Sequence, residues 1–556
     1  MSFVAPISEQ RFVLDQVAGL GALAAHERFA AATPDLIDAV LEGAARLAEG
    51  EWAPLARRGD TEGARWTPEG VVMPEGYRDA YKAFVDGGWP AIAVPQAFGG
   101  QGLPFVVQAA VLETLGAANM GFALAPLLTV GAIEALTHHG SPEQQATYLP
   151  KLVTGEWTGT MNLTEPQAGS DVGALRTAAT PRGDGTYAIK GGKIFISFGD
   201  HDLTDNIVHL VLARTPGAPD GTRGISLFLA PKRRPDGSSN GVRVVSIEHK
   251  MGLHASPTCV LSFGEDEECV GELVGAEFGG MRAMFTMMNN ARLNVGLQGV
   301  QVAEAATQKA AQYARERIQG VRDGRPAAIV EHPDVRRMLM RMKAQTMAAR
   351  ALVYYAAAQV DRSALGEEDA RDRLEIMTPL AKAHATDLGV EVASLGVQVH
   401  GGMGYIEEAG AAQFFRDARI TPIYEGTNGI QAADLVGRKL ALSNGGAFAT
   451  LIADMKADAK AERLVALIDR CEAAGRRLQT AEPDDRLSAS YPFLTMLSVA
   501  ACGWLMERLA AREDAGPVKR AIATFYLDQI VPEALGLDAA AAASASQLYA
   551  LAAEAF

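Results

Sequence analysis

The chain has 556 residues, enough for about three or four domains at ~150 residues each. An apolar fraction of 48 % supports a large core and excludes global disorder. With 51 basic against 66 acidic residues the net charge is −15, which repels phosphate backbones and argues against nucleic acid as a partner.

The N-terminus has no basic start, and Pro6, Glu9 and Gln10 interrupt any apolar stretch, so it does not read as a signal peptide. No run approaches the ~18 apolar residues of a membrane span. Residues 1–155 look helical, with Leu36, Val40, Leu41 and Ala44 at helical spacing. Glycine and proline clusters punctuate them at Gly87-Gly88-Trp89-Pro90 and Phe98–Pro104, and Ser141-Pro142 reads as a helix cap followed by proline at the first helical position.

Residues 156–280 change texture. Tyr187–Lys190 and Lys193–Ser197 flank Gly191-Gly192, a hairpin signal, and short apolar runs follow at Ile207–Ala213, Ile225–Ala230, Val242–Ile247 and Thr258–Phe263. This spacing predicts a small β sandwich or barrel. Residues 281–444 return to helix, with Met284, Met288, Ala291, Val295, Val302 and Ala306 on one core-facing stripe. Residues 445–556 read as an additional helical domain whose Ala539–Ala545 stretch forms a loose helix or tail. The order is not the βαβ alternation of a nucleotide-binding parallel sheet, and the G-x-G-x-x-A matches at Gly19 and Gly183 lack that context.

Four cysteines (Cys259, Cys269, Cys471, Cys502) are too scattered for a disulfide framework, and no C-x-x-C occurs. A reduced cytoplasm fits. No metal-ligand constellation is evident.

Three segments carry chemistry. Gly169-Ser170-Asp171 offers backbone N–H groups and a hydroxyl that could cradle phosphate or the polar edge of a ring, although an ordinary loop has the same composition. Gln398-Val-His-Gly-Gly-Met-Gly404 leaves a bare backbone after a helix, open to a ligand or serving as a C-cap. Thr421-Pro-Ile-Tyr-Glu-Gly-Thr-Asn428 sets Glu425 among apolar neighbours, where partial shielding from water raises a carboxyl pKa and makes a useful base, although a lone Glu there more often serves as a cap or an ion-pair partner.

Together these segments resemble the acyl-CoA dehydrogenase family of flavoproteins, over about residues 80–440. Leu163–Asp171 resembles its flavin-binding signature, and Lys193-Ile-Phe-Ile-Ser197 resembles a later strand motif. Tyr313-Ala-x-x-Arg317, Gln398-x-x-Gly-Gly-x-Gly404, Arg416–Ile420 and Ile423–Thr427 follow in family order. The N-terminal Ala5-Pro6, His249–Thr258, Gly401–Glu408 and the C-terminal extension are similar to the 3-methylmercaptopropionyl-CoA dehydrogenase-like group.

The resemblance implies a mainly α fold: an N-terminal helical domain, a central β barrel or sandwich and a four-helix bundle, here with a C-terminal helical extension. It implies FAD as cofactor, an acyl-CoA substrate, electron-transfer flavoprotein as acceptor and a homodimer or homotetramer. Glu425 matches the catalytic base, while some members carry the base just before the arginine matching Arg292, where this chain has Ala291. Met161, Leu163, Thr164, Gly169, Phe195, Ser197 and Thr427 match flavin-contacting positions, with Phe195 replacing the family's Trp. Arg317, Gln398, Gly401 and Gly402 match residues reaching a neighbour's FAD. Ser170, Asn289, Arg292 and Gly426 match contacts to the CoA substrate. Asn289 stands where many members have Asp, Gln413 where they have Lys or Arg, and Arg317–Gly320 lacks their usual Phe.

Two other readings remain at this stage. An acyl-CoA oxidase would return the electrons to O₂, and a non-catalytic binding protein could use the same scaffold. The acyl chain is not legible, since one methylene changes discrimination by only ~1–3 kcal/mol.

Overall fold

The Thr33 hydroxyl accepts from the Leu36 amide (3.4 Å), with Pro34 in the first turn, so helix Pro34–Leu47 starts there. This helix buries Ile37, Leu41, Ala44 and Ala45, whereas Leu36 is exposed and Val40 half-buried. Leu41 and Ala44 of the expected stripe thus face the core, while Ile37 and Ala45 take the places expected of Leu36 and Val40. The computed structural model describes residues 3–556, apart from the side chains of Met287 and Asn289.

Ser141 caps Pro142–Val153 as expected, in a reciprocal exchange with Gln144. Ahead of it lie α1 (Phe105–Ala118) and α2 (Met120–His139), each buried over most of its surface. α2 is long and apolar enough to cross a membrane, contrary to the sequence expectation, but 78 % of its apolar window is buried inside the fold. Its apolarity matches a helix surrounded by protein on every side.

Eight strands form the central sheet: β1 (Trp157–Asn162), β2 (Ala178–Pro181), β3 (Tyr187–Ser197), β4 (Asn206–Ala213), β5 (Ser226–Pro231), β6 (Val242–Ile247), β7 (Thr258–Phe263) and β8 (Cys269–Val274). The order is β1-β4-β5-β8-β3-β7-β6, with β2 paired to β3. β1 and β4 are parallel, Trp157 opposite Asn206, and the other pairs are antiparallel. The sheet encloses its own small core of Val211, Phe228, Ala230, Leu261, Phe263 and their neighbours.

The expected hairpin at Gly191-Gly192 is not formed. β3 runs unbroken through it, pairing first with β2 and β8 and then with β7. Gly191 has φ +157° and a Cβ there would stand 2.5 Å from Thr177 Oγ1, so the glycine admits a close crossing, not a reversal. Sequence reading also missed β1, β2 and β8, the hairpin Arg65–Thr67/Gly70–Val72 and the hairpin Ile318–Arg322/Arg325–Ala328.

Three long helices follow: α3 (Gly280–Glu316), α4 (Pro333–Ala364) and α5 (Ala370–His400), then the shorter α6 (Asn428–Gly437). On α3 the expected stripe is buried at Met284, Ala291, Val295, Val302 and Ala306. α3 and α5 meet backbone to backbone, since a Cβ on Gly299 would lie 2.0 Å from the Ala385 carbonyl oxygen.

Beyond Asn444 come helices Gly446–Asp458, Glu462–Thr480 and α7 (Ser490–Ala510), followed by shorter turns. α7 is also apolar enough to span a membrane, yet 78 % of that window is buried. Side chains from this segment, from the N-terminal helices and from α3 to α6 share one continuous apolar core. Ala539–Ala545 contains the end of a four-residue helix, Asp538–Ala541, and irregular chain. All four cysteines are buried and free.

Candidate active site

Glu425 lies in the turn between Ile420 and α6, with φ +56°, followed by Gly426 at φ +81°. Thr427 starts α6 as its cap, its hydroxyl accepting from the Ile430 amide (3.1 Å). Two successive left-handed residues just before a helix hold Glu425 in a conformation that non-glycine residues avoid, a kind of strain that clusters at functional sites.

Arg292 from α3 and Lys382 from α5 are the cations that act on this carboxyl. Burial raises the Glu425 carboxyl above the ordinary carboxylate range, and Arg292 and Lys382 pull against that shift. Lys382 is fully buried, and burial pushes its ammonium down to about 8 while Glu425 and Asp387 work to keep it charged. A Cβ on Gly426 would sit 3.7 Å from Arg292 Nη2, so the candidates Arg292, Glu425, Gly426 and Thr427 are brought together. Gln431 Nε2 donates to the Glu425 carbonyl (3.4 Å), and Tyr424 donates its hydroxyl to the buried Gln298. Arg292 Nε and Gln431 Oε1 are buried without a partner, leaving unspent polar capacity beside the turn.

A second group forms on the sheet. The register of β3 against β7 slips between Lys193 and Ile196, and at this bulge Phe195 takes φ +59° and stands 59 % exposed. The Ile194 amide donates to the Thr164 carbonyl (2.9 Å), which lays the Leu163–Asp171 loop beside Phe195. Glu165 fixes this loop. Its carboxylate accepts from Lys193 Nζ (2.8 Å), the Arg176 amide (2.7 Å) and the Thr177 amide and hydroxyl (3.0 and 2.6 Å). Burial alone would raise the Glu165 carboxyl, but Lys193 and these donors bring it down to about 2. Met161 is buried in β1 and Ser197 lies half-buried in β3, while Gly169 and Ser170 are exposed. An outward aromatic ring beside an open loop of bare backbone fits a flat polar ring system carrying phosphates.

A third group sits elsewhere. Arg317 follows the C-terminus of α3, Gln398 lies in the last turn of α5, and Gly401 and Gly402 follow that helix; all four are exposed. His400 stacks on Tyr313 (4.4 Å), and its Nδ1 bonds the Gly396 carbonyl (2.7 Å). Arg292 and Arg317 are 25 residues apart on and just beyond one helix, roughly 37 Å. This group therefore cannot face the Glu425 turn of its own chain. The side chain of Asn289 lies outside the described residues.

Arg416 and Asp417, from one of the quoted motifs, tie the parts together. Arg416 forks onto Asp60 (2.7 and 2.6 Å), and Asp417 accepts from the Leu253 amide (2.7 Å). Gln413 donates to the Ala56 carbonyl (3.1 Å). Sequence reasoning missed Lys382, Gln298 and Gln431. For Lys382 a signal existed: a single cation in the apolar stretch Pro379–Ala383.

Profiles of the acyl-CoA dehydrogenase N-terminal, middle and C-terminal domains match residues 35–156, 160–265 and 279–441. A 3-methylmercaptopropionyl-CoA dehydrogenase of Ruegeria pomeroyi is 46 % identical over 95 % of this chain and 94 % of its own. Among solved structures, Caenorhabditis elegans ACDH-11 in complex with C11-CoA superposes with a TM-score of 0.81 at 21 % identity, covering 95 % of this chain and 91 % of that one. An acyl-CoA dehydrogenase from Bacillus anthracis complexed with FAD gives a TM-score of 0.74 at 24 % identity, over 92 % and 88 % of the two chains.

Proposed function

The chain belongs to the acyl-CoA dehydrogenase family, and from that premise we propose that it oxidises an acyl-CoA thioester to the trans-2-enoyl-CoA with Glu425 as the base. The observation that carries this reading is the Glu425 turn: a half-buried carboxyl raised by desolvation against the pull of Arg292 and Lys382, on a left-handed backbone. A carboxyl raised above its ordinary range is a stronger base once ionised, and the proton next to a thioester carbonyl needs one. Polarisation of that carbonyl by fixed donors lowers the cost further.

The bound FAD would supply the hydride acceptor for the β-carbon. Leu163, Thr164, Gly169, Phe195 and Ser197 would hold it on the sheet, with Glu165 keeping their loop in place. Ser170, Arg292 and Gly426 would contact the CoA ester. Arg317, Gln398, Gly401 and Gly402 would reach the cofactor of a second copy, a reading supported by the length of α3 between Arg292 and Arg317. The exposed Met403, Tyr405 and Ile406 beside them suit such an interface. A groove of about 1050 Å³ lies at that end, lined by Lys309, Tyr313, His400 and Gln413 among others, and not at Glu425.

The 46 % identical relative supports 3-methylmercaptopropionyl-CoA as the substrate, a butyryl-CoA dehydrogenase 35 % identical over 90 % of this chain keeps a fatty acyl-CoA beside it, and electron-transfer flavoprotein is the acceptor proposed with either. Anaerobic titration of the yellow protein with a panel of acyl-CoAs tests the reading. Bleaching of the flavin band by the true substrate is expected, with Glu425→Gln binding the ligand without bleaching. A flavin that no acyl-CoA reduces would sink it.

A further inference from the structure

We infer that Lys382 is a positioning residue for Glu425 and that Tyr491, in the C-terminal segment, holds it there through Asp387 and Asn428. The inference rests on the dehydrogenase reading and adds to it a role for the chain beyond Asn444.

The contacts form one line. Tyr491, at the start of α7, donates its hydroxyl to Asp387 Oδ2 (2.6 Å). Asn428 Nδ2 donates to Asp387 Oδ1 (2.8 Å), and also reaches the Ala383 carbonyl and Thr386 Oγ1 (both 3.0 Å). Asn428 Oδ1 accepts from Lys382 Nζ (2.8 Å). Asn428 opens α6 three residues after Glu425, so the amide that grips the lysine shares the turn that carries the base.

The arrangement is costly for a purely structural one. Lys382 is completely buried, and its hydrogen-bond partner here is a neutral amide oxygen. A buried ammonium without a paired carboxylate pays a desolvation penalty that an apolar residue of the same length would avoid. The compensation is its attraction to Glu425 and Asp387, which act across more than 4 Å, since no ion pair links the three among the described residues. Lys382 thus places a positive charge at a fixed point near the base. Its field favours the ionised carboxylate that removes the proton.

The charged neighbours divide by element. α3 presents Arg292, α5 presents Lys382 and Asp387, and α6 presents Asp434, which acts on Arg292. The turn itself contributes Tyr424, and Arg419 acts on Asp387. Of the residues in the line, only Tyr491 belongs to the C-terminal segment. That segment is anchored independently by Arg341 to Glu533 (2.7 Å), Arg373 to Asp454 (2.6 Å) and Gln479 to the Leu440 carbonyl (2.7 Å). Its docking therefore sets where the Tyr491 hydroxyl stands.

The test is the anaerobic rate of flavin bleaching as a function of pH. It uses the holoenzyme and the acyl-CoA that bleaches wild type fastest, with Lys382→Met and Tyr491→Phe compared. Removing the cation raises the pKa of the base, so the acid limb of Lys382→Met is expected to move up by on the order of one pH unit or more. Tyr491→Phe removes a donor from Asp387 and so loosens the Asp387–Asn428 contact that fixes the ammonium near the base. Its limb is expected to move the same way by a smaller amount, with flavin content unchanged. Tyr491 is 38 % exposed and loses one hydroxyl, so this variant decides the matter if Lys382→Met does not fold. An acid limb that stays in place in Tyr491→Phe overturns the proposal, whatever Lys382→Met does. A wild type that no acyl-CoA bleaches overturns the dehydrogenase reading instead.

Discussion

Glu165 and Lys193 form an ion pair at 2.8 Å with side-chain exposures of 4 % and 0 %, and around it the Leu163–Asp171 loop is ordered against β3. Breaking one side of a buried pair leaves the other charge uncompensated. Glu165→Ala is expected to cost about 3–5 kcal/mol and to release bound flavin. Urea unfolding and flavin content after gel filtration check both.

The same group predicts an acid dependence. Its folded pKa is held down to about 2, below the ordinary ~4.3 of an unfolded glutamate. Its stabilisation is complete above that ordinary value and is lost as pH falls through it toward about 2. Glu165→Gln should flatten the acid side of the stability curve, measured by urea unfolding across that range. An unchanged slope would contradict the assignment.

Glu425 has the opposite sign. Its folded pKa is raised, so it favours the folded state below the unfolded value and loses that contribution as pH rises through the folded one. Glu425→Gln is expected to melt at a higher temperature than wild type at neutral pH and at the same temperature near about pH 4. Turnover of the variant should fall by at least about 10²–10⁴-fold while flavin stays bound. Thermal melts at the two pH values and steady-state rates give the comparison.

Arg350 is fully buried and meets Glu113 (2.8 Å), Glu304 (2.7 Å) and Glu9 (3.1 Å). Arg350→Met should destabilise by about 3–5 kcal/mol because Glu113, equally buried, loses its cation. Adding Glu113→Gln should recover part of that loss. A double variant no better than the single one would locate the cost in packing.

Gly299 lets α3 and α5 touch backbone to backbone, with 2.0 Å between its missing Cβ and the Ala385 carbonyl oxygen. Gly299→Ala must part the two helices, at an expected cost of about 1–3 kcal/mol. Because Arg292 and Lys382 ride on those helices, kcat should fall as well, and the ratio of kcat to flavin content separates the effect from lost cofactor.

Much of the site was readable one segment at a time. Ile423–Thr427 pointed to Glu425 because apolar neighbours raise a carboxyl and the segment resembles a family motif, and Leu163–Asp171 marked the loop that Glu165 organises. Gly191-Gly192 misled because a glycine pair in a strand serves a turn or a close crossing equally well. What separates the two is Thr177, which lies outside the pair. Spacing fixes a helical period but leaves the edges of its apolar face open, and in Pro34–Leu47 Ile37 is buried where Leu36 is exposed.

By itself, the sequence determined the order helices, strands, helices, the candidate for the base and the family to which the chain belongs. These are local properties, carried by side chains within a few positions of one another. Tertiary structure alone decided the company that base keeps. Arg292, Lys382 and Tyr491 come from three separate helices, and the desolvation and charge that set the chemistry of Glu425 exist only once those helices pack.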